Sequence, residues 1–305
     1  MKVLVGNISK ELVKMISYQL AMTPSALHIS QFSDGESNIE IENSFYNEEV
    51  FILQSLSSPV NQHLIELLLI IDSVKRQDAK KITVIIPYYG YSRQDRMIKN
   101  NNMQSSVGAK LVAKLIQTAG AMCIAVIDLH AKQIEGFFDI PIINFHCYEM
   151  FCNTIQCNNL SVVAPDIGAI DRAREFASIL DKRYASNIAH NIIVIDKNRQ
   201  QAGTSQVMNV IGNVVNKNCV IIDDIVDSGG TLCNAAIALK KHGAQSVIAC
   251  ITHGVFSGDA MIKISSSLID KLIITDTIIH TFEKTNKIEI ISIASIITKI
   301  IQKER

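Results

Sequence analysis

The stretch "CVIIDDIVDSGGTLCNAAIALKKHGAQSVIACITHG", residues 219–254, reads as strand, loop, helix, strand. An apolar run carries two adjacent carboxylates, Asp223 and Asp224, and gives way to a glycine-rich turn. Leu232, Ala235, Ala236 and Leu239 then recur at helical spacing, Gly243 supplies a C-terminal stop, and "SVIACITH" is a short β-rich run. This is a βαβ unit, whose crossover implies a parallel sheet. The pattern occurs twice: "VFILQSLSSPVNQHLIELLLIIDSVKRQDAKKITVIIPYYG", residues 50–90, runs parallel to it, with its helix in "HLIELLLIIDSVKRQ" and its second strand in "ITVIIPYY".

Working outward, "AVIDLH" (125–130), "SVVAP" (161–165) and "NIIVID" (191–196) are further predicted strands, and "GAKLVAKLIQTAG" (108–120) and "DRAREFASILDK" (171–182) are predicted helices. Strands alternating with helices in both halves predict two tandem doubly wound α/β domains related by internal duplication, 1–145 and 146–305. With 305 residues, two domains are also the expectation from length. The copies differ where it matters for a ligand. Gln54 and Ser55 stand in the places of Asp223 and Asp224, and "LSSPVN" stands where "VDSGGT" stands, so the first half is expected to have lost the ligand-binding residues.

Composition narrows the partners. Lys plus Arg and Asp plus Glu are 29 each and no basic block stands out, which gives no nucleic-acid footprint. The chain is 48% hydrophobic, 6% aromatic and without Trp, a balance that suits buried parallel strands. The apolar run in "MKVLVGNISKEL" is too short for a signal-peptide core, and "IEIISIASIITKII" is too short and too hydroxylated to span a bilayer. Seven cysteines without a secretory signal imply reduced thiols, so a cytoplasmic protein is expected. "HCYEMFCNTIQC" groups His146, Cys147, Cys152 and Cys157, but its gaps match no usual zinc or iron–sulfur spacing; an amphipathic helix with buried thiols is the expectation.

In open parallel sheets, ligands bind beyond the carboxyl ends of the strands, where Asp223 and Asp224 lie. Their carboxylates can accept hydrogen bonds from vicinal hydroxyls. The following Asp227, Ser228, Gly229, Gly230 and Thr231 offer backbone N–H groups and hydroxyls at a helix N-terminus, where a phosphate is favoured. Hydroxyls and a phosphate together describe a sugar phosphate such as ribose 5-phosphate. The same residues also read as an acidic turn that merely caps a helix.

"VIIDDIVDSGGTL" resembles the phosphoribosyl-pyrophosphate motif shared by type I phosphoribosyltransferases and ribose-phosphate pyrophosphokinases. "FSDGESNIEI", "VIIPYYGYSRQDR", "VIDLHAKQIEGFFDIP" and "VVAPDIGAIDRAR" resemble the second family, in the same order and over nearly the whole chain. The resemblance implies two type I phosphoribosyltransferase-like domains and a homo-oligomer, a hexamer or another assembly built from dimers. It implies transfer of the β,γ-diphosphoryl group of ATP to the C1 hydroxyl of ribose 5-phosphate, which gives AMP and 5-phosphoribosyl 1-pyrophosphate for nucleotide biosynthesis. A non-catalytic associated subunit and a phosphoribosyltransferase acting on a base are the alternatives.

Beside the resemblance, residue chemistry assigns parts. Phe32 offers an apolar plate, with Asp34, Gly35 and Glu36 as a loop able to hold adenine, and in the family this loop reaches the ATP site of a neighbouring subunit. Arg93 supplies a planar cation, with Gln94 and Asp95 beside it, for the same ATP. The resemblance makes His130 and Asp166 ligands of an ATP-bound Mg²⁺, and an imidazole and a carboxylate suit an ion that keeps its waters. Lys197 and Arg199, in "DKNRQQAGTSQVM", are the expected catalytic cations in a mobile loop. Three departures stand out: Asn198 and Gln200 interrupt that loop, "RMIKNNNMQSSVGAK" lacks the family's proline, and Tyr46 and Asp78 hold places where many bacterial members bind regulatory phosphate with Arg and Ser.

Overall fold

The computed structural model describes residues 1–42, 44–100, 103–155, 158–184, 188–198, 207–282 and 285–303. The chain divides into two compact units. The first comprises 1–146, 276–280 and 292–305, and the second 147–275 and 281–291. Where the sequence division assigned all of 146–305 to the second domain, the terminal segments return to the first. The cause is the apolar stripe of the helix Ala294–Lys303, in which Ile296, Ile297, Ile300 and Ile301 are buried, while the Thr298 hydroxyl donates to Gln19 Oε1 at 2.9 Å.

The second unit carries a seven-stranded sheet. Its spatial order is Val207–Ile211, Ile193–Asn198, Leu160–Ala164, Asn218–Val226, Ser246–Gly254, Lys271–Thr275 and Ile288–Ile291. Only the Val207–Ile211 strand is antiparallel. Val220, Ile221 and Ile222 are fully buried, which explains why this strand shows a continuous apolar run instead of alternation. From Leu160–Ala164 the chain runs outward to the Ile193 strand and then returns to the other side as Asn218–Val226. The order therefore reverses between these two central strands, and the crevice at their carboxyl ends is the place where such sheets bind ligands.

The first unit repeats five of these strands in the same order, all parallel: Lys2–Val5, Glu49–Leu53, Lys81–Ile86, Cys123–Ile127 and Ile142–Phe145. Its outward excursion is a separate antiparallel hairpin, Leu27–Gln31 with Ser37–Ile41. Residues 32–36 form the tip of this hairpin.

The predicted helix of the second repeat is observed as Gly230–Lys241, with Leu232, Ala235, Ala236 and Leu239 buried as their spacing required. Gly243 ends it at φ +91°, with Ala244 N–H donating to Leu239 O and Gly243 N–H to Lys240 O, both at 3.1 Å. In the first repeat Val60–Arg76 buries Leu64, Leu67, Ile70, Ile71 and Val74 on one face. Cys147, just before the helix Tyr148–Thr154, and Cys152 within it are both buried, and burial pushes the Cys152 thiol up to about 11; Cys157 lies outside the described residues. Among the described residues, no helix is long and apolar enough to cross a membrane.

Candidate active site

Asp223 and Asp224 sit near the carboxyl end of the central strand Asn218–Val226 of the second unit, and Asp166 follows the adjacent strand Leu160–Ala164 by two residues. The reversal of strand order brings these three carboxylates to one strand end. Asp224 N–H donates to Asp223 Oδ1 at 3.0 Å, and Asp224 is buried. Burial pushes the Asp223 carboxyl well above the usual carboxylate range, the charges of Asp224 and Asp166 add to that, and the Arg172 guanidinium opposes it.

Arg172 is the site residue that reading the sequence missed. Its Nη2 lies 3.3 Å from Asp224 Oδ1 and its Nε 4.0 Å from Asp223 Oδ1, with 12% of its side chain exposed. A signal was present in "DRAR". On the helix Ile170–Tyr184, Arg172 stands four residues before the buried Phe176, whereas Arg174 points to solvent and pairs with Asp171.

The turn after the strand has the form expected of an anion cradle. Asp227 accepts a hydrogen bond from the Ser257 hydroxyl, Ser228 is exposed, and Gly229, at φ +74°, precedes the helix that Gly230 begins. Thr231 follows in its first turn, so backbone N–H groups and hydroxyls converge at a helix N-terminus. A Cβ on Gly229 would stand 3.2 Å from Ile264 Cγ1, in a left-handed conformation, while at Gly230 the nearest atom would be Ser228 Oγ at 3.8 Å. Gly229→Ala is therefore expected to cost about 1–2 kcal/mol of stability. Gly230→Ala leaves the urea midpoint unchanged by the same argument. Equal midpoints for the two variants would contradict this.

In the first unit the equivalent strand end is closed by the chain's own groups. Gln54 Oε1 accepts from Asn7 N–H at 2.6 Å, Gln54 Nε2 donates to His63 O at 3.1 Å, and the Ser55 hydroxyl donates to Thr277 O at 2.7 Å. Other loops of this unit carry the remaining candidates. His130 is exposed, two residues after Asp128, which adopts φ +45° and accepts a hydrogen bond at 2.5 Å from His146 Nδ1. Asp95 accepts from Gln133 Nε2, which ties the Arg93–Asp95 loop to the turn that follows His130. Gln94 Oε1 accepts from the Ser106 hydroxyl at 3.2 Å, and Gln94 O accepts from Ala109 N–H at 3.2 Å. Arg93 itself is exposed.

The loop that lacks the family's proline closes as a short hairpin instead, Lys99–Asn100 with Met103–Gln104, and Ser105 Oγ accepts from Ile98 N–H at 2.8 Å. The Phe32–Glu36 tip is open to solvent: Phe32 is 56% exposed, Gly35 turns at φ +93°, and Asp34 Oδ1 accepts from Glu36 N–H at 3.1 Å. Asp34 thus builds the turn as well as presenting a carboxylate. The strand predicted to end at Asp196 runs on through Lys197 to Asn198, and the rung Lys197↔Met208 joins it to its antiparallel neighbour. Arg199 and Gln200 lie outside the described residues.

Comparisons with known proteins fall on this geometry. A family model described as the N-terminal domain of ribose phosphate pyrophosphokinase matches residues 1–120, and one described as the phosphoribosyl synthetase-associated domain matches residues 189–304. The chain is 44% identical to a ribose-phosphate pyrophosphokinase of Rhizobium meliloti, over 99% of this chain and 96% of that one. It is 41% identical to one of Campylobacter jejuni, over 99% and 95%. Among solved structures it is similar to phosphoribosylpyrophosphate synthetase from Mycobacterium smegmatis, with a TM-score of 0.89, 32% identity, and 99% and 98% of the two chains covered.

Proposed function

The chain belongs to the ribose-phosphate pyrophosphokinase family, and from that premise we propose which of its residues carry the reaction. The enzyme transfers the β,γ-diphosphoryl group of ATP to C1 of ribose 5-phosphate, giving 5-phosphoribosyl 1-pyrophosphate and AMP. The observation that carries the assignment of residues is the crevice where strand order reverses, which combines the Asp223–Asp224 pair with a helix N-terminal turn.

Asp223 and Asp224 accept hydrogen bonds from the ring hydroxyls of ribose 5-phosphate. The turn Asp227–Thr231 receives its 5-phosphate through backbone N–H groups and the Ser228 and Thr231 hydroxyls. ATP is held by Arg93, Gln94 and Asp95, with Phe32, Asp34, Gly35 and Glu36 serving the adenine of a neighbouring copy. The exposure of Phe32 at a hairpin tip supports that use and, with it, a homo-oligomer.

In the chemical step the C1 oxygen attacks the β-phosphorus, and the bond from that phosphorus to the bridging oxygen of the α-phosphate breaks. AMP leaves with the electron pair, and the hydroxyl proton passes to solvent. Lys197 and Arg199 stabilise the charge that builds on the transferring oxygens. Mg²⁺ is the proposed cofactor. The ligands proposed for it are His130 and Asp166, an imidazole and a carboxylate that each stand just beyond the end of a parallel strand of their own unit and suit an ion that retains waters and binds phosphate oxygens. When bound, that ion supplies charge neutralisation on the diphosphate. Cytoplasmic placement is the proposed localisation, which this substrate chemistry and the buried Cys152 and Cys219 thiols support.

The test is AMP formation by the purified protein from ATP, Mg²⁺ and ribose 5-phosphate. Stoichiometric AMP and 5-phosphoribosyl 1-pyrophosphate are expected; a folded protein that makes neither would overturn the assignment. The same assay addresses regulation. Tyr46 is 71% exposed, and the adjacent Asn47 N–H donates to the Asp78 backbone carbonyl at 3.0 Å, so the chain segments that carry these two residues, where the family has Arg and Ser for phosphate, lie side by side. A carboxylate there opposes anion binding. The rate is therefore expected to be the same in phosphate-free and phosphate-containing buffer, and strict dependence on phosphate would refute this.

A further inference from the structure

We propose that Arg172 is a positioning residue that locks Asp223 and Asp224 as a pair of hydroxyl acceptors, and thereby sets the preference for ribose over 2-deoxyribose 5-phosphate. The inference rests on the sugar-phosphate assignment of the same strand end.

The local chain path explains why an arginine can do this. Strand Leu160–Ala164 ends at the crevice, Asp166 begins a single 3-10 turn in which its carbonyl accepts from Ala169 N–H at 3.2 Å, and the helix starts at Ile170. Arg172, third in that helix, is carried back over the end of the neighbouring strand Asn218–Val226. Its side chain is 12% exposed and spans both carboxylates, at 3.3 Å from Asp224 and 4.0 Å from Asp223.

A largely covered guanidinium, a half-buried carboxylate and a buried one are each costly alone and tolerable together. The fork geometry also restricts rotation of the acceptors in a way that a lysine ammonium would not. A carboxylate has about four lone-pair sites, more than one guanidinium uses, so the pair keeps acceptor capacity for a substrate. Without Arg172, Asp166, Asp223 and Asp224 would crowd like charges at one strand end. They would relieve this by rotating apart, which takes the acceptors away from the sugar hydroxyls.

The discriminating readout is therefore a ratio. Arg172→Gln is expected to lower kcat/KM for ribose 5-phosphate about 100-fold and for 2-deoxyribose 5-phosphate about tenfold or less, because a hydrogen bond that the deoxy sugar never made cannot be lost. KM for ATP stays at the wild-type value. Arg172→Lys, which keeps the charge without the fork, gives an intermediate ratio; it carries the test if Arg172→Gln does not fold by circular dichroism. Equal proportional losses on the two sugars would reduce Arg172 to a structural support and overturn the proposal, as would an unchanged ratio. Failure of the wild-type protein to form AMP from ribose 5-phosphate would instead overturn the assignment beneath it.

Discussion

Alanine in place of Lys197 is expected to lower kcat for AMP formation about 10³-fold, because a cation aimed at a transferring phosphoryl group is worth about 10³–10⁵ in rate. KM for ribose 5-phosphate is expected to stay within about threefold, since an interaction made only in the transition state leaves ground-state binding nearly unchanged. The backbone supports this choice of residue. The strand Ile193–Asn198 pairs in parallel with Leu160–Ala164 only at its start, through Val163↔Ile193 and Ala164↔Val194, so Lys197 lies farther along in the direction in which Asp166 follows its own strand. The rung Lys197↔Met208 holds the Lys197 backbone within a ladder, while its neighbours up to Asn198 lead into the segment with Arg199. Asn198 and Gln200 interrupt the basic run without removing either cation. A Lys197→Ala enzyme with wild-type kcat would remove it from the chemical step; a raised KM with unchanged kcat would make it a binding residue.

Much of this architecture was legible because each βαβ repeat combines strong local signals that agree. Val220–Ile222 and Phe51–Leu53 are unbroken apolar runs, and the helices behind them keep one buried stripe. The free-standing hairpin Leu27–Gln31 with Ser37–Ile41 escaped notice as structure. Leu27–Gln31 is largely exposed and Ser37–Ile41 half-buried, and Leu27, Ile39 and Ile41 pack on the core, so little periodicity marks either strand. The return of the Ala294–Lys303 helix to the first unit was illegible for another reason: a helical stripe announces that it will be covered and not by what.

The candidate site was read unevenly on the same grounds. Asp223, Asp224 and the glycine turn lie within one continuous stretch, so their cooperation is local and visible. Arg172 is fifty-one residues before Asp223 and meets it only through the reversal of strand order. Asp95 and Gln94 are expected ligand contacts from their place beside Arg93, and in the structure both side chains also brace neighbouring turns, through Gln133 and Ser106. A single sequence offers no trace of such bracing, since either partner alone is an ordinary polar loop residue.

Asp223→Asn is expected to lower kcat/KM for ribose 5-phosphate about 10- to 100-fold, the worth of a hydrogen bond to a charged acceptor, and at the same time to raise the melting temperature at neutral pH. The two effects share one cause. Burial and the nearby Asp224 and Asp166 charges hold the Asp223 carboxyl above its ordinary value, so the folded protein binds a proton there more tightly than the unfolded chain does. Lowering the pH toward the ordinary aspartate value, about 3.9, therefore stabilises the fold through this group, and raising it through the elevated value withdraws that stabilisation. The neutral amide removes the burden that the wild type carries above that range. Arg172 keeps its closer partner, Asp224 at 3.3 Å, so the substitution does not strand a buried cation. The stability gain of Asp223→Asn should accordingly shrink as the pH falls, while acid also weakens sugar binding by the wild type, because the protonated carboxyl no longer accepts from a hydroxyl. Thermal unfolding of both proteins from neutral to acidic pH decides the matter. A variant less stable than wild type at neutral pH would mean that the attraction between Asp223 and Arg172 outweighs the cost of burying the carboxylate.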